Sequence, residues 1–455
     1  MNTREIILDI LLELSKTDAY SNRLLADVLE KYDYLDAKEK AFIKRVTEGT
    51  IERRIQIDYI LNQISKVPVK KMKPLIRELL RMSVYQMLFL DGIPDAAVCN
   101  EAVKLAKKRK FQSLQGYVNG VLRNVSRQKE SIAYPEKEND KLNYLSVVYS
   151  MPQWLVERFI QAYGEEQTEK MLKAFLEEGA VTIRLEESLT EPERQELLTK
   201  WSKKGAVVTK HPYLPYAVQV EKTEGIRSLA GYEEGLFAVQ DVSSMLVVEA
   251  ADIQAGDTVI DVCAAPGGKT LHAACKAGEK GRVLAFDLTE SKVDKIEENR
   301  KRMRKENVKA AVGDARIFQK PLQQLADVVL ADVPCSGLGV IGKKQDIKYH
   351  VTPQSLEEIT NLQKEILKNV ISYVKPGGIF MYSTCTINPD ENEKMVEWLC
   401  ENFPFRKESM APFLQEPLKE EGADGMIQLL PGVHKTDGFF FARLRREESL
   451  SETKS

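Results

Sequence analysis

Apolar residues recur at three- and four-residue steps through the first third of the chain: Ile6, Ile7, Ile10, Leu11 and Leu14 line one helix face, and Leu75, Leu79, Leu80 and Val84 line another. Residues 4–130 therefore predict an all-helical domain. Pro74 and Pro94 suit helix first turns, and DGIPD at 91–95 suits a loop between two helices. The polar stretch EKENDK at 136–141 marks a boundary. Beyond it the pattern mixes, with helices expected near 152–162, 165–178 and 191–203 and strands at 181–185, 206–209 and 217–220. That mixture predicts a small α+β unit of the split βαβ kind. From residue 237 short apolar strands (258–262, 282–286, 309–312, 327–331, 378–383) alternate with helices (from 270, 291–305, 353–374). Repeating βα units predict a doubly wound, Rossmann-like α/β sheet with mostly parallel strands. The expected multidomain division is thus 1–135, 136–236 and 237–446, with a polar, disordered tail at 447–455.

Composition changes this picture little, and charge changes it more. The chain of 455 residues, 43% hydrophobic and 29% charged, has material for more than one core. No eighteen-residue apolar run exists, and Asp9 and Glu13 interrupt the N-terminal apolar stretch. Neither a membrane span nor a secretory signal is expected, and the cytoplasm is the expected compartment. Six cysteines form no C-x-x-C pair, and His211, His272, His350 and His434 show no ligand spacing, so reduced thiols and no metal are expected. The net charge of −2 is uneven: residues 1–130 hold 24 Lys+Arg against 17 Asp+Glu. Within them KLAKKRK at 104–110, with Arg123, Arg127 and Lys129, forms a positive cluster, suited either to phosphates or simply to a solvated helix face.

Candidate chemistry lies in the last third. The turn DVCAAPGGKT at 261–270 joins the first expected strand of the large sheet to its first helix, the usual nucleotide cradle of such folds. Pro266 sets the backbone ahead of Gly267 and Gly268, where two missing side chains let a ligand approach. Asp287 ends the second strand, 19 residues after Gly268, where an acid accepts hydrogen bonds from a ribose diol and repels a 2′-phosphate. Asp314 follows the third strand and Asp332 ends the fourth. Singly, each acid is most simply a helix cap; the ordered set is not explained that way. Gln240 and Asp241, ahead of this strand series, read either as a polar turn or as an orienting pair, and Asn388 and Asp390 read as caps of a helix start.

Cys335, in DVPCSG, and Cys385, in YSTCTIN, stand about one βαβ unit apart, each where a strand gives way to a loop. A lone cysteine is usually a small buried hydrophobe. Two of them beside an acid fit covalent chemistry on a pyrimidine. Carbon 5 of cytosine is a poor nucleophile until a thiolate adds at carbon 6, and a second acid/base group must then help release the product.

DVCAAPGGKT, FD, GDA and DVPCSGLG together resemble the class I S-adenosylmethionine methyltransferases, and among them the RNA cytosine methyltransferases of the Nop/Sun type. By that likeness Cys263, Ala264, Ala265, Pro266, Gly267, Gly268 and Lys269 wrap the methionine end of S-adenosylmethionine, Asp287 holds its ribose, Asp314 lies by its adenine, and Asp332 borders the same site. The likeness also implies that Cys385 is the nucleophile and Cys335 aids release, that Asp332 binds the nitrogen edge of the base, and that Lys269 lies near the base. AFIKRVTEGTIERRIQIDYIL and GYVNGVLRNV resemble the NusB RNA-binding domain, and TIRLE at 182–186 resembles a stretch of the family's small RNA-recognition-like (RRM-like) subdomain, with Glu186 where the family has asparagine. A NusB-like domain joined to such a catalytic domain is the architecture of the RsmB (Fmu/Sun) family. That resemblance implies a monomer that methylates carbon 5 of a cytosine in small-subunit (16S) ribosomal RNA, free or partly assembled, at position 967, without metal or membrane. Methylation of another structured RNA such as tRNA, or a non-catalytic RNA-binding assembly role, are the alternatives.

Overall fold

The computed structural model describes residues 2–17, 19–177, 179–223 and 225–448, so most of the expected disordered tail, 449–455, lies outside the described residues. By internal contacts the chain forms two units: Met1–Glu177 with Ile341–Val351, and Glu178–Val340 with Thr352–Ser455.

The first unit is helical. Among the described residues it contains Thr3–Leu14, Ser21–Lys31, Ala37–Glu52, Arg54–Ile64, Pro74–Leu88, Asp95–Lys108, Gln115–Gln128, Lys141–Val148 and Gln153–Ala174. The apolar stripes anticipated from spacing form its core, with Ile7, Leu8, Val46, Leu79, Leu80, Val84 and Leu122 fully buried. Asp36 and Glu39 close a capping box at the start of the third helix. Pro74 is the first residue of its helix as anticipated, but Pro94 sits one place ahead of Asp95–Lys108, at the N-cap. The helices expected at 152–162 and 165–178 are one element kinked at Gly164, whose φ of +74° only glycine adopts freely. Lys141–Val148 was hidden behind the polar boundary stretch, where Asp140 accepts a hydrogen bond from the Asn143 N–H at 3.2 Å. Ile341–Val351 joins this unit through Lys348, which donates to the Glu52 carbonyl at 2.8 Å, and Tyr349, whose hydroxyl donates to the Ile51 carbonyl at 3.0 Å.

In the second unit β1 (Val181–Leu185), β2 (Val207–Lys210), β3 (Ala217–Glu221) and β4 (Phe237–Val239) form an antiparallel sheet in the order β2-β3-β1-β4. Its helix, Glu191–Lys203, buries Trp201, whose indole N–H donates to the Ala230 carbonyl at 2.9 Å. Glu186 is buried here and pairs with Lys305 at 2.7 Å, so the acid that departs from the family pattern serves an internal ion pair rather than an exposed surface.

The large sheet comprises β5 (Thr258–Asp261), β6 (Arg282–Asp287), β7 (Val308–Val312), β8 (Ala326–Asp332), β9 (Val374–Thr384), β10 (Phe405–Lys407), β11 (Met426–Leu429) and β12 (Phe439–Arg446). Its order is β10-β12-β9-β8-β5-β6-β7, with β11 also on β12. Strands β5 to β9 pair in parallel; the last three, which the sequence pattern did not reveal, are antiparallel. Alternate residues of one strand face two cores: Val328 and Leu330 pack in one, Val329 and Ala331 in the other. Because the chain runs from β5 outward to β7 and then crosses back to β8, a crevice opens at the carboxyl ends of β5 and β8.

Gly49 lies against the ring of Tyr85, where an added Cβ would stand 1.9 Å from Cζ. Gly49→Ala should lower the thermal midpoint, at an overpacking cost of about 1–3 kcal/mol; an unchanged melting curve would show that the ring yields freely.

Candidate active site

The crevice holds a cavity of about 220 Å³ walled on one side by Val239, Gln240, Asp241 and Ser244 and on the other by Asp261, Cys263–Pro266, Gly268, Lys269 and Asp332. The turn from β5 to the helix Gly268–Ala277 is strapped to β6, since the Ala264 N–H donates to the Phe286 carbonyl at 2.9 Å and the Ala265 N–H donates to Oδ2 of Asp287 at 3.0 Å. Gly267 takes φ +102°, a left-handed conformation that favours glycine. A Cβ on Gly268 would come within 3.7 Å of Gln240 and narrow the cavity.

Asp261, not singled out from the sequence, is the acid at the floor. It ends β5 as Asp287 ends β6, so the strand-end rule applied one strand earlier finds it. Thr270 donates to its Oδ2 at 2.7 Å, its Oδ1 has no partner, and burial pushes its carboxyl up to about 7. An orphaned buried acceptor beside a glycine-lined turn fits a ligand that brings its own donor, as the amino-acid end of S-adenosylmethionine does.

Asp287 and Asp314 lie off this wall. Asp287 is buried and accepts from the Ala265 and Leu288 N–H groups, with Lys292 at 2.9 Å. Asp314 is gripped by Arg316 at 2.6 Å, a hydrogen-bonded pairing that holds its carboxyl below the usual range.

Lys269 and Asp332 meet directly, Nζ to Oδ2 at 2.7 Å. Ser244 is 3.1 Å from the ammonium, and Ser383 donates to Oδ1 of Asp332 at 3.0 Å. Beyond Asp332, Cys335 and Cys385 bring their sulfurs to 3.3 Å without a disulfide. The hydrogen bond to Cys385 and then burial push the Cys335 thiol well above its ordinary value, so Cys335 keeps its proton.

The two cysteine loops are riveted by Glu391, in the segment 388–393 whose polar residues suggest a helix start. Glu391 is fully buried; it accepts from the Ser336 N–H at 2.8 Å, the Ser336 hydroxyl at 2.6 Å, Asn388 at 2.9 Å and Gln363 at 3.1 Å. The helix actually begins at Glu393, with Asn392 at its N-cap, so Asn388 and Asp390 are not its caps. Asn392 instead spans Thr384, which donates to it at 2.6 Å, and the Thr386 carbonyl, to which it donates at 3.1 Å, and so fixes both sides of Cys385. No local pattern reveals such long-range bonds.

Two other features bear on chemistry. Among the described residues, Glu187, Glu249 and His272 could converge on an ion, but the Lys276 ammonium already lies 2.7 Å from both carboxylates. Burial acts to raise these two carboxyls; hydrogen bonds from His272 and Lys276 outweigh it and hold each at about 2. In the helical unit part of the basic cluster is spent internally: Lys108 pairs with Glu5, Lys104 with Glu101, and Lys129 with Asp95. Arg123 and Arg127 instead line a cavity of about 410 Å³ with Asn100 and Asn119.

A Rossmann-like sheet whose first crossover cradles a ligand beside an acid-ended second strand is the arrangement of S-adenosylmethionine-dependent methyltransferases. Comparison with known proteins narrows the class. The family model for 16S rRNA methyltransferase RsmB/F matches residues 248–445, the NusB family model matches 1–127, and the ferredoxin-like domain model of RsmF/B-like methyltransferases matches 151–227. A probable ribosomal RNA small subunit methyltransferase B of Bacillus subtilis (strain 168) is 35% identical over 98% of this chain and 99% of its own. The chain belongs to the RsmB/F family and is an S-adenosylmethionine-dependent methyltransferase of ribosomal RNA. Among solved structures, that of PH0851 superposes with a TM-score of 0.79 at 26% identity, covering 98% of this chain and 99% of that one. NSun6 from Pyrococcus horikoshii, solved with the cofactor analogue SFG, shares the fold at a TM-score of 0.58 and 24% identity, over 66% of this chain and 100% of that one. No described helix is long and apolar enough to cross a membrane.

Asp261 offers a pH test. Its folded-state pKa of about 7 lies above the ordinary carboxyl value, so its contribution to stability is fully present below about pH 4 and is lost as pH rises toward 7. Asp261→Asn should therefore melt higher than the wild type by a margin that grows from pH 4 to 7 and levels off above; a margin independent of pH would contradict the assignment.

Proposed function

We propose that this enzyme methylates carbon 5 of a cytosine in 16S rRNA, at position 967 as the family resemblance implies, through a covalent bond between Cys385 and carbon 6. The observation that carries this reading is the pair of thiols 3.3 Å apart beside the Lys269–Asp332 ion pair.

S-adenosylmethionine, held by Cys263–Lys269 with Asp287 at its ribose and Asp314 at its adenine, supplies an electrophilic methyl group. The chain does the rest. The Cys385 thiolate forms a bond to carbon 6, and the displaced electron pair makes carbon 5 nucleophilic. Asp332 accepts a hydrogen bond from the nitrogen edge of the ring, and Lys269 holds Asp332 in place. Once carbon 5 carries the methyl group, its proton passes to solvent, the sulfur–carbon bond breaks and the Cys385 thiolate departs. Cys335 favours that departure because its S–H has lost its acceptor in the adduct and regains it on release. The base must leave its stack to reach the thiol, and the surplus of Lys and Arg in residues 1–130 provides the charge that holds RNA. In this reading residues 1–135 grip RNA, 136–236 assist recognition and 237–446 catalyse, in a cytoplasmic monomer.

Cys385→Ala should reduce methyl transfer from tritiated cofactor to background while leaving S-adenosylhomocysteine binding intact; measurable turnover would refute the nucleophile. Cys335→Ala should accumulate a protein–RNA adduct that survives a denaturing gel, and its absence would remove Cys335 from release.

A further inference from the structure

Gln240 follows β4 and is only 5% exposed, yet it lines the cofactor cavity. Its orientation is determined. Nε of Arg184 lies 2.8 Å from Oε1 of Gln240, and a guanidinium can only donate, so the amide oxygen must face β1 and the amide nitrogen must face away. Arg184 is itself fully buried and contacts Glu186 at 3.4 Å, and Glu186 is paired with Lys305. The relay Lys305–Glu186–Arg184–Gln240 ends in an amide nitrogen that is buried and has no hydrogen-bond partner. On the floor of the same cavity, Oδ1 of Asp261 is a buried acceptor with no partner. One unspent donor and one unspent acceptor are the complement of an α-amino acid head, which presents a carboxylate and an ammonium on adjacent atoms.

We propose that Nε2 of Gln240 donates to the α-carboxylate of the methionyl group of S-adenosylmethionine, while Asp261 accepts from its α-ammonium, and that Arg184 is a positioning residue that sets which way the Gln240 amide faces. The inference rests on the reading that this cavity receives the methionyl end of the cofactor. It gives the small antiparallel sheet a part in cofactor binding, because β1 carries Arg184 and Gln240 directly follows β4.

The test uses calorimetric titration of the full-length protein with two probes: S-adenosylhomocysteine, which carries the amino-acid head, and 5′-methylthioadenosine, which lacks it. Gln240→Glu keeps an oxygen for Arg184 but replaces the donor with a second acceptor. It should weaken S-adenosylhomocysteine binding by about tenfold or more, leave methylthioadenosine binding within about twofold, and keep the melting temperature at or above that of the wild type. Gln240→Ala should show the same selective loss. A Gln240→Glu protein that binds S-adenosylhomocysteine like the wild type, or variants that lose both probes equally, would overturn the proposal. So would unchanged S-adenosylhomocysteine binding with a raised KM for RNA, which would place the amide at the target base. A wild-type protein that binds neither probe would instead fault the cofactor cavity itself.

Discussion

The parallel register that sets Asp332 opposite Ser383 in β8 and β9 decides where the chemistry stands. Three residues beyond Asp332 comes Cys335, and two beyond Ser383 comes Cys385, so neighbouring strands release their cysteines at one level of the sheet. A slip of one residue would turn every side chain to the opposite face and part the thiols. The same register hydrogen-bonds Ser383 to Asp332, and Asp332 in turn receives Lys269 from the helix after β5. Three successive elements of the fold thus converge on one edge because the chain reverses its order between β5 and β8.

What the register begins, buried polar groups complete. Glu391 sits in the protein with no cation beside it in these bonds, held by four donors that belong to both cysteine loops and to the helix Pro353–Val370. Removing any one donor strands part of a buried carboxylate, at about 1–3 kcal/mol, so the loops hold together or loosen together. Behind them Gly339 and Gly438 pack so closely that a Cβ on Gly339 would fall 1.9 Å from a carbonyl oxygen, while the Gly339 N–H donates to the Cys385 carbonyl at 3.1 Å. The orphaned atoms of Asp261 and Gln240 belong instead to residues that line the cavity.

Much of this was legible in the chain. The βα alternation placed β5 to β9, and strand ends placed Asp287, Asp332, Cys335 and Cys385, because a parallel strand advertises itself as a short apolar run closed by a polar residue. Legibility failed where a residue's role is set from far away. Glu391 and Asn392 look like polar loop residues, yet their bonds run to positions up to 55 residues distant. Strand β12 interrupts its apolar run with Arg443, which is buried because Glu408 pairs with it at 3.0 Å. The basic stretch at 104–110 reads either as a phosphate surface or as a solvated helix face, and nothing local shows that Lys108 pairs with Glu5, about a hundred residues away. Glu186 is similar: nothing local shows that it is buried between Arg184 and Lys305.

In the proposed reaction Cys385, not Cys335, bonds to the base, and an RNA that carries 5-fluorocytosine at the target site distinguishes the two. Fluorine in place of the carbon 5 proton cannot leave as a cation, so the adduct persists after methyl transfer. Incubation with S-adenosylmethionine, digestion and mass spectrometry of the RNA-linked peptide should find the base on the peptide containing Tyr382–Asn388, at Cys385. A base attached to Cys335, or methylation with no covalent peptide at all, would contradict it.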